Sequence, residues 1–134
     1  MHTTNYQNSF IAISPDSGAL VGAVPERSGT VAAMQYGRVA ASPYTITSDE
    51  LLFGIFADRR ELFGQARDEA MLAFFSKGQP CMRASPLVKT YGWGVHYDAA
   101  GRMALIAVET DQYADLLADK SLEQFVGMRS KRKG

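Results

Sequence analysis

The single cysteine of this chain, Cys81, stands 15 residues before His96, and the only other histidine is His2. A thiolate beside an imidazole is how a cysteine nucleophile is activated, and a fold can close that spacing. Both residues lie in an unusual stretch. Between Glu69 and Asp98 there is no acidic residue, yet Lys77, Arg83 and Lys89 are there, with Ser76 and Ser85. Three cations and two hydroxyls suit a small carboxylate or phosphate. Arg83 sits between Pro80 and Pro86 on a stiffened backbone, so its direction is preset. Gly92 and Gly94 alternate with His96, so all three share one face of an extended strand, and glycines there allow a close approach to the backbone.

Each feature also has a structural reading. Free cysteine is among the most buried residue types. His96 can be a packed or hydrogen-bonded core residue, and the body approaching Gly92 and Gly94 can be a helix instead of a ligand. Arg83 can pair internally with an acid such as Glu109 or Asp68. Trp93 and Tyr91 suit core packing better than base stacking. One cysteine and one histidine fall short of a zinc ligand set, so no metal and no cofactor is expected. The chain has no P-loop, no Rossmann glycine pattern, no G-x-S-x-G, no H-E-x-x-H and no paired-cysteine knuckle. The common NTPase, dehydrogenase, hydrolase and zinc-protease readings are thereby removed.

The elements that would position these groups can be read along the chain. With 134 residues, 46% of them hydrophobic and 21% charged, one folded domain is expected. The 14 basic and 14 acidic residues cancel, so there is no general field for nucleic acid. The ending GMRSKRKG holds four of those basic residues and no acid. The expected division is a domain over 1–126 followed by a basic tail over 127–134. A lone cysteine, no basic leader and no long apolar run point to a cytoplasmic protein without a membrane span.

Residues 8–14 (NSFIAIS) predict a strand stopped by Pro15, and 19–24 a further short strand. Thr30 caps a helix through VAAMQYGRVAA. Thr47 and Glu50 have capping-box spacing before Leu51, Leu52, Ile55 and Phe56. A third helix covers QARDEAMLAFFSK, with Gly78 as its C-cap and Lys77 in its last turn. The prolines exclude helix from Gln79 to Pro86. Residues 91–108 read as a hairpin turning at Asp98 and Gly101. Its second strand, Met103 to Val108, is apolar on both faces and so is expected to be central. Thr110 caps a helix carrying Tyr113, Leu116 and Leu117, and Ser121 with Gln124 predicts another, short helix with Leu122, Phe125 and Val126. Helices first and strands later are the order of an α+β domain, here an antiparallel sheet with helices against one face.

The blocks FFSKGQPCMRASPL, KTYGWGVHYDAAGRMAL and MRSKR, with TVAAMQY and PYTITSDELLF before them, resemble a family of uncharacterised bacterial and fungal proteins, a domain of unknown function. The resemblance runs from about Asn5 to Arg132. It departs at Gly54, where the family often has an acidic residue. It implies a single-domain soluble protein and no particular activity. From the residues themselves, the leading expectation is a binding module for a small anionic ligand, lined by Ser76, Lys77, Arg83, Ser85, Lys89 and His96. An enzyme using Cys81 or His96 is a second reading. A third is an interaction subunit meeting a partner through RASPLVK and the tail.

Overall fold

The strand predicted from SFIA is the centre of the architecture. In the computed structural model, which describes residues 1–131, β1 (Ser9–Ala12) has all four residues buried. A strand buried on both sides must be covered on both faces. β1 pairs antiparallel with β2 (Trp93–Tyr97) and parallel with β4 (Glu123–Val126), and β2 pairs antiparallel with β3 (Met103–Ala107). The order is β3-β2-β1-β4. The fold is α+β as expected, but the sheet is mixed and not purely antiparallel.

Three expectations are corrected here. The capping box of Ser121 and Gln124 starts no helix. The backbone N–H and hydroxyl of Ser121 both donate to Asp119 Oδ1, and the Gln124 amide donates to the carbonyls of Leu116 and Asp119. Both residues therefore finish the preceding helix, α5 (Asp111–Ala118), and the chain runs on as β4. The strand Met103–Ala107, read as central, lies at the edge of the sheet. Its apolar character is covered in other ways. Tyr44 N–H and Ile46 C=O bond the outward-facing groups of Met103, and residue 22 packs at Ala107. Third, helices cover both faces of the sheet.

Register shows how the two faces are divided. Ile11, Val95 and Phe125 stand opposite one another on one face, and Phe10, His96 and Gln124 on the other. The first face packs against α1 (Val31–Ala41), α2 (Ser48–Arg59) and α4 (Pro86–Lys89) through Val39, Leu51, Ile55, Leu87 and Val88. The second face receives α5, whose Tyr113 packs with Phe10, Ala12, Ala104 and Ile106. Gly94 is the contact point. A Cβ there would lie 2.7 Å from Phe10 Cζ and 2.8 Å from Tyr113 Cε2. The body that Gly94 admits is a helix, whereas Gly92 is approached by Ala19 and Val21 of a loop.

The helix starts follow the predicted chemistry. Thr30, Thr47 and Thr110 each accept an N–H of the first turn, and Thr47 with Glu50 closes a full capping box. α3 (Gly64–Phe74) ends earlier than expected, with Phe75 as its C-cap, so Gly78 is not the cap and Lys77 lies beyond the helix. Between the prolines, Met82–Ala84 forms one turn of 3₁₀ helix. Pro86 opens α4 at a first-turn position, where its missing N–H costs nothing. Residues 19–24 form a loop that is held by Ala23 N–H on Tyr91 C=O. The beginning of the basic tail runs back along the body. Gly127 N–H bonds Ala12 C=O, Ser14 Oγ donates to Met128 C=O, and Asp16 accepts the N–H groups of Ser130 and Lys131. The rest of the tail, 132–134, lies outside the described residues. Among the described residues no helix is long and apolar enough to cross a membrane.

Candidate functional site

The acid-free stretch weaves between core and surface, so its polar groups are dispersed. Ser85 is buried. It caps α4 by accepting Leu87 N–H at 3.1 Å and donates to Gln35 Oε1 at 2.5 Å. Ser76 is exposed and donates to Ala73 C=O at the end of α3. Lys89 is half-buried in the last turn of α4.

Arg83 has an internal partner, but it is not an acid. Its Nε donates to Val126 C=O at 2.7 Å, and its own carbonyl accepts Met128 N–H. The segment around Arg83 thus covers the C-terminal end of the outer edge of β4, at Val126. The guanidinium carbon lies 6.0 Å from the Phe125 ring, on the first face of the sheet. Of the two acids that could have paired with it, Glu109 accepts Gly22 N–H instead.

Cys81 and His96 do not form a pair. Cys81 is half-buried on the first face, with Sγ 3.1 Å from Tyr6 Oη, and Tyr6 packs on Tyr97 and Phe125. Burial first, then the hydrogen bond to Cys81, pushes the Tyr6 phenol up to about 12. His96 projects from the second face, where its Nδ1 lies 2.7 Å from Tyr44 Oη with the two rings edge to face. Burial lowers the imidazole pKa, against the opposing pull of Asp98 and Asp119. It raises that of Tyr44. The phenol and Nδ1 share one hydrogen bond, whose donor is set by the imidazole tautomer. Among the described residues no group of three His, Cys, Asp or Glu side chains could hold a metal.

Of the six predicted site residues, Lys77 lines a depression. This one, of about 360 Å³, opens between the end of α2 and α3, on a floor of Phe56, Leu62, Ala70 and Phe74 and beneath Arg60 and Lys77. A neighbouring hollow of about 250 Å³ shares Phe56, Arg60, Phe74 and Gln79 and adds Arg59, Val31 and Ile55. A third, of about 540 Å³, lies under the 23–32 segment and reaches Pro86 and Tyr91. None of these three is lined by Arg83, Ser85, Lys89, His96 or Cys81.

The floor is aromatic because α2 and α3 meet through phenylalanines. Phe53, Ala57 and Phe75 form a small buried core of their own, with Phe56 and Phe74 partly buried against it. The Phe56 and Phe74 ring centroids are 4.9 Å apart. The Arg60 guanidinium lies 3.8 Å over the Phe56 ring, a cation–π stack that fixes its plane. Asp58, the nearest acid preceding Arg59 and Arg60 in the chain, is engaged elsewhere. It pairs with Arg67 at 2.7 Å and Arg38 at 2.8 Å, and these two arginines hold its carboxyl below the usual range. Among the described residues those are the only ion pairs, so Arg59, Arg60 and Lys77 have no carboxylate partner there. Arg59 donates to Gly29 C=O at 2.8 Å and so ties the 25–30 loop to the end of α2.

Sequence reasoning singled out Lys77 and missed Arg59, Arg60, Phe56 and Phe74 as site residues. The signal was present in ADRREL. Two arginines follow the apolar stripe of a helix between two acids, Asp58 and Glu61; Asp58 is taken by Arg38 and Arg67, and Glu61 pairs with neither arginine.

A model of a family of unknown function (DUF6157) matches residues 1–133, and the chain belongs to that family. No curated protein and no solved structure matches it.

Proposed function

We propose, for this member of a family without an established activity, that it is a binding module for a small anion with an apolar body, taken up between α2 and α3. The observation that carries the reading is the combination in one depression of an aromatic floor, Phe56 and Phe74, with Arg60 and Lys77, cations that have no carboxylate partner among the described residues. A carboxylate or phosphate at the rim would form charge-assisted hydrogen bonds to Arg60 and Lys77. Its aryl or alkyl part would cover the floor, gaining about 25 cal/mol for each Å² of apolar surface removed from water. Neither half suffices alone. Exposed ion pairs are worth little, and an open apolar hollow does not choose among ligands.

A cytoplasmic setting fits this reading, since the single thiol, half-buried at Tyr6, has no disulfide partner in the chain.

The test is a thermal-shift panel of phenylacetate and phenyl phosphate against benzyl alcohol, their uncharged analogue. A ligand that binds the folded state alone raises the melting temperature. The anions raise it and the alcohol does not, and an Arg60→Ala/Lys77→Ala double variant loses the shift while melting near the wild-type temperature without ligand. Equal shifts for the alcohol, or a shift that survives the double variant, would overturn the reading.

A further inference from the structure

The depression between α2 and α3 is one end of a longer surface feature. Phe56 and Phe74 are shared with the next hollow, and Val31 is shared between that one and the hollow under residues 23–32. Through these shared residues the three hollows adjoin one another in a row, here called the furrow, from Lys77 to Tyr91. It is open to solvent along its length. Its apolar floor stays partly wet, with Val24 57% and Val31 38% exposed. Four cations border it, Arg27, Arg59, Arg60 and Lys77, against one acid, Glu26. Among the described residues none of these charges is in an ion pair.

From this we infer that the furrow takes an extended, acidic peptide segment of a partner protein, with apolar residues alternating with Asp or Glu. The inference rests on the anion-binding reading above and extends it along the furrow. A small ligand fills one hollow and leaves the other two, with Arg27, unused. An acyl chain is long enough but poorly matched, because each methylene gains by leaving water on all sides and an open furrow leaves one side wet. An extended peptide has the matching periodicity. Successive side chains point to opposite sides, so one set can settle on Val31 and Phe56 while the other meets the bordering cations. Nucleic acid is disfavoured by the site itself. Arg60 already lies over the Phe56 ring and Phe74 is packed among Phe53, Phe56 and Phe75, so the partly exposed rings can take apolar side chains but offer no run of open ring faces for successive bases.

The test uses the full chain and a fluorescein-labelled peptide of about ten residues, ~33 Å when extended, alternating Leu and Glu, read by fluorescence anisotropy. Arg27→Ala and Arg60→Ala each remove an exposed side chain, so both variants should melt near the wild-type temperature. Each should weaken the peptide about five- to tenfold, and raised salt should weaken it further. Phenylacetate, confined to the Phe56–Phe74 end, should lose affinity in Arg60→Ala and not in Arg27→Ala. Peptide binding untouched by Arg27→Ala, equal binding of a Leu–Lys peptide, or tighter binding of a single-stranded oligonucleotide would each overturn the inference. If phenylacetate binds as proposed and the peptide binds no better, the extension along the furrow is wrong and the smaller site stands. If neither binds, both are wrong.

Discussion

Two apolar regions meet on α2, and they are finished differently. On the sheet side, Leu51, Met82, Leu87, Val95, Tyr97 and Met103 are fully buried, and every polar group among them is answered. Tyr97 Oη lies 2.7 Å from Ser48 Oγ, which also reaches Met103 Sδ at 3.3 Å, and Gln35 holds Ser85. Burial pushes the Tyr97 phenol far above its ordinary pKa, so it stays neutral. On the other side, the phenylalanines between α2 and α3 are closed only in part. α3 buries no residue completely, Phe63 and Leu72 face solvent, and the cations above Phe56 and Phe74 have no acid. α2 carries buried residues around most of its circumference because it lies between the two. The sheet side uses its special residues to be stable. The α2–α3 corner leaves hydrophobic area and positive charge uncommitted, and uncommitted groups can bind something.

The difference predicts where substitutions cost stability. The largest effect belongs to the sheet side. Leu87→Ala removes a fully buried side chain beside Val88 and should cost ~2–5 kcal/mol in urea unfolding. Phe56→Ala, at the partly open corner, should cost clearly less while abolishing the anion-dependent thermal shift. If the two losses were equal, the contrast between the regions would fail.

Gly94→Ala comes next. The new methyl would lie 2.7 Å from Phe10 Cζ and 3.0 Å from Ile11 O, and that backbone atom cannot swing away. Overpacking of this kind costs about 1–3 kcal/mol. A melting temperature equal to the wild type's would mean that α5 does not press on the second face as described.

Ser48→Ala tests the polar finish of the core. It leaves the Tyr97 hydroxyl buried without its partner, for a loss of about 1–3 kcal/mol. Adding Tyr97→Phe should restore part of that loss, since removing both partners is far milder than removing one. An additive double-mutant cycle would show that the pair is not coupled.

How much of this was legible in the residues depends on the range of the forces that decide it. Thr30, Thr47 and Thr110 act within their own helix turn, and the Asp98–Gly101 turn is also local, so three helix starts and the hairpin were readable. Ser121 and Gln124 also act locally, but on the helix before them. The same residue types serve either end, and only the parallel pairing of β4 with β1 decides which. Met103–Ala107 reads as central because its cover comes from residues 44–46 and 22, distant in the chain. The acid-free stretch was rightly odd, yet a strand's two-residue period puts His96 on one face of the sheet, while Arg83 turns toward the edge of β4 on the other. Arg59 and Arg60 escaped notice because their significance depends on Arg38 and Arg67 occupying Asp58, a fact of tertiary structure.

A smaller effect tests the second face by pH. Burial holds the His96 pKa below its ordinary value of ~6.5, so on acidification the unfolded chain takes up the proton first. Its share of stability is present above that value and is lost as pH falls through it toward the folded-state pKa. Melting temperatures measured across this range should fall less steeply for His96→Gln than for the wild type. Identical slopes would mean that the imidazole is not burdened by burial.

The most direct test of the unfinished corner is a backbone amide chemical-shift titration of the full chain with phenyl phosphate. The amide signals of Phe56, Arg60, Phe74 and Lys77 should move together and saturate, while those around the Tyr44–His96 pair and the Cys81–Arg83 segment stay in place. Saturating shifts at Arg83 or His96 with the α2–α3 signals unmoved would contradict the account and return the site to the residues that this fold disperses.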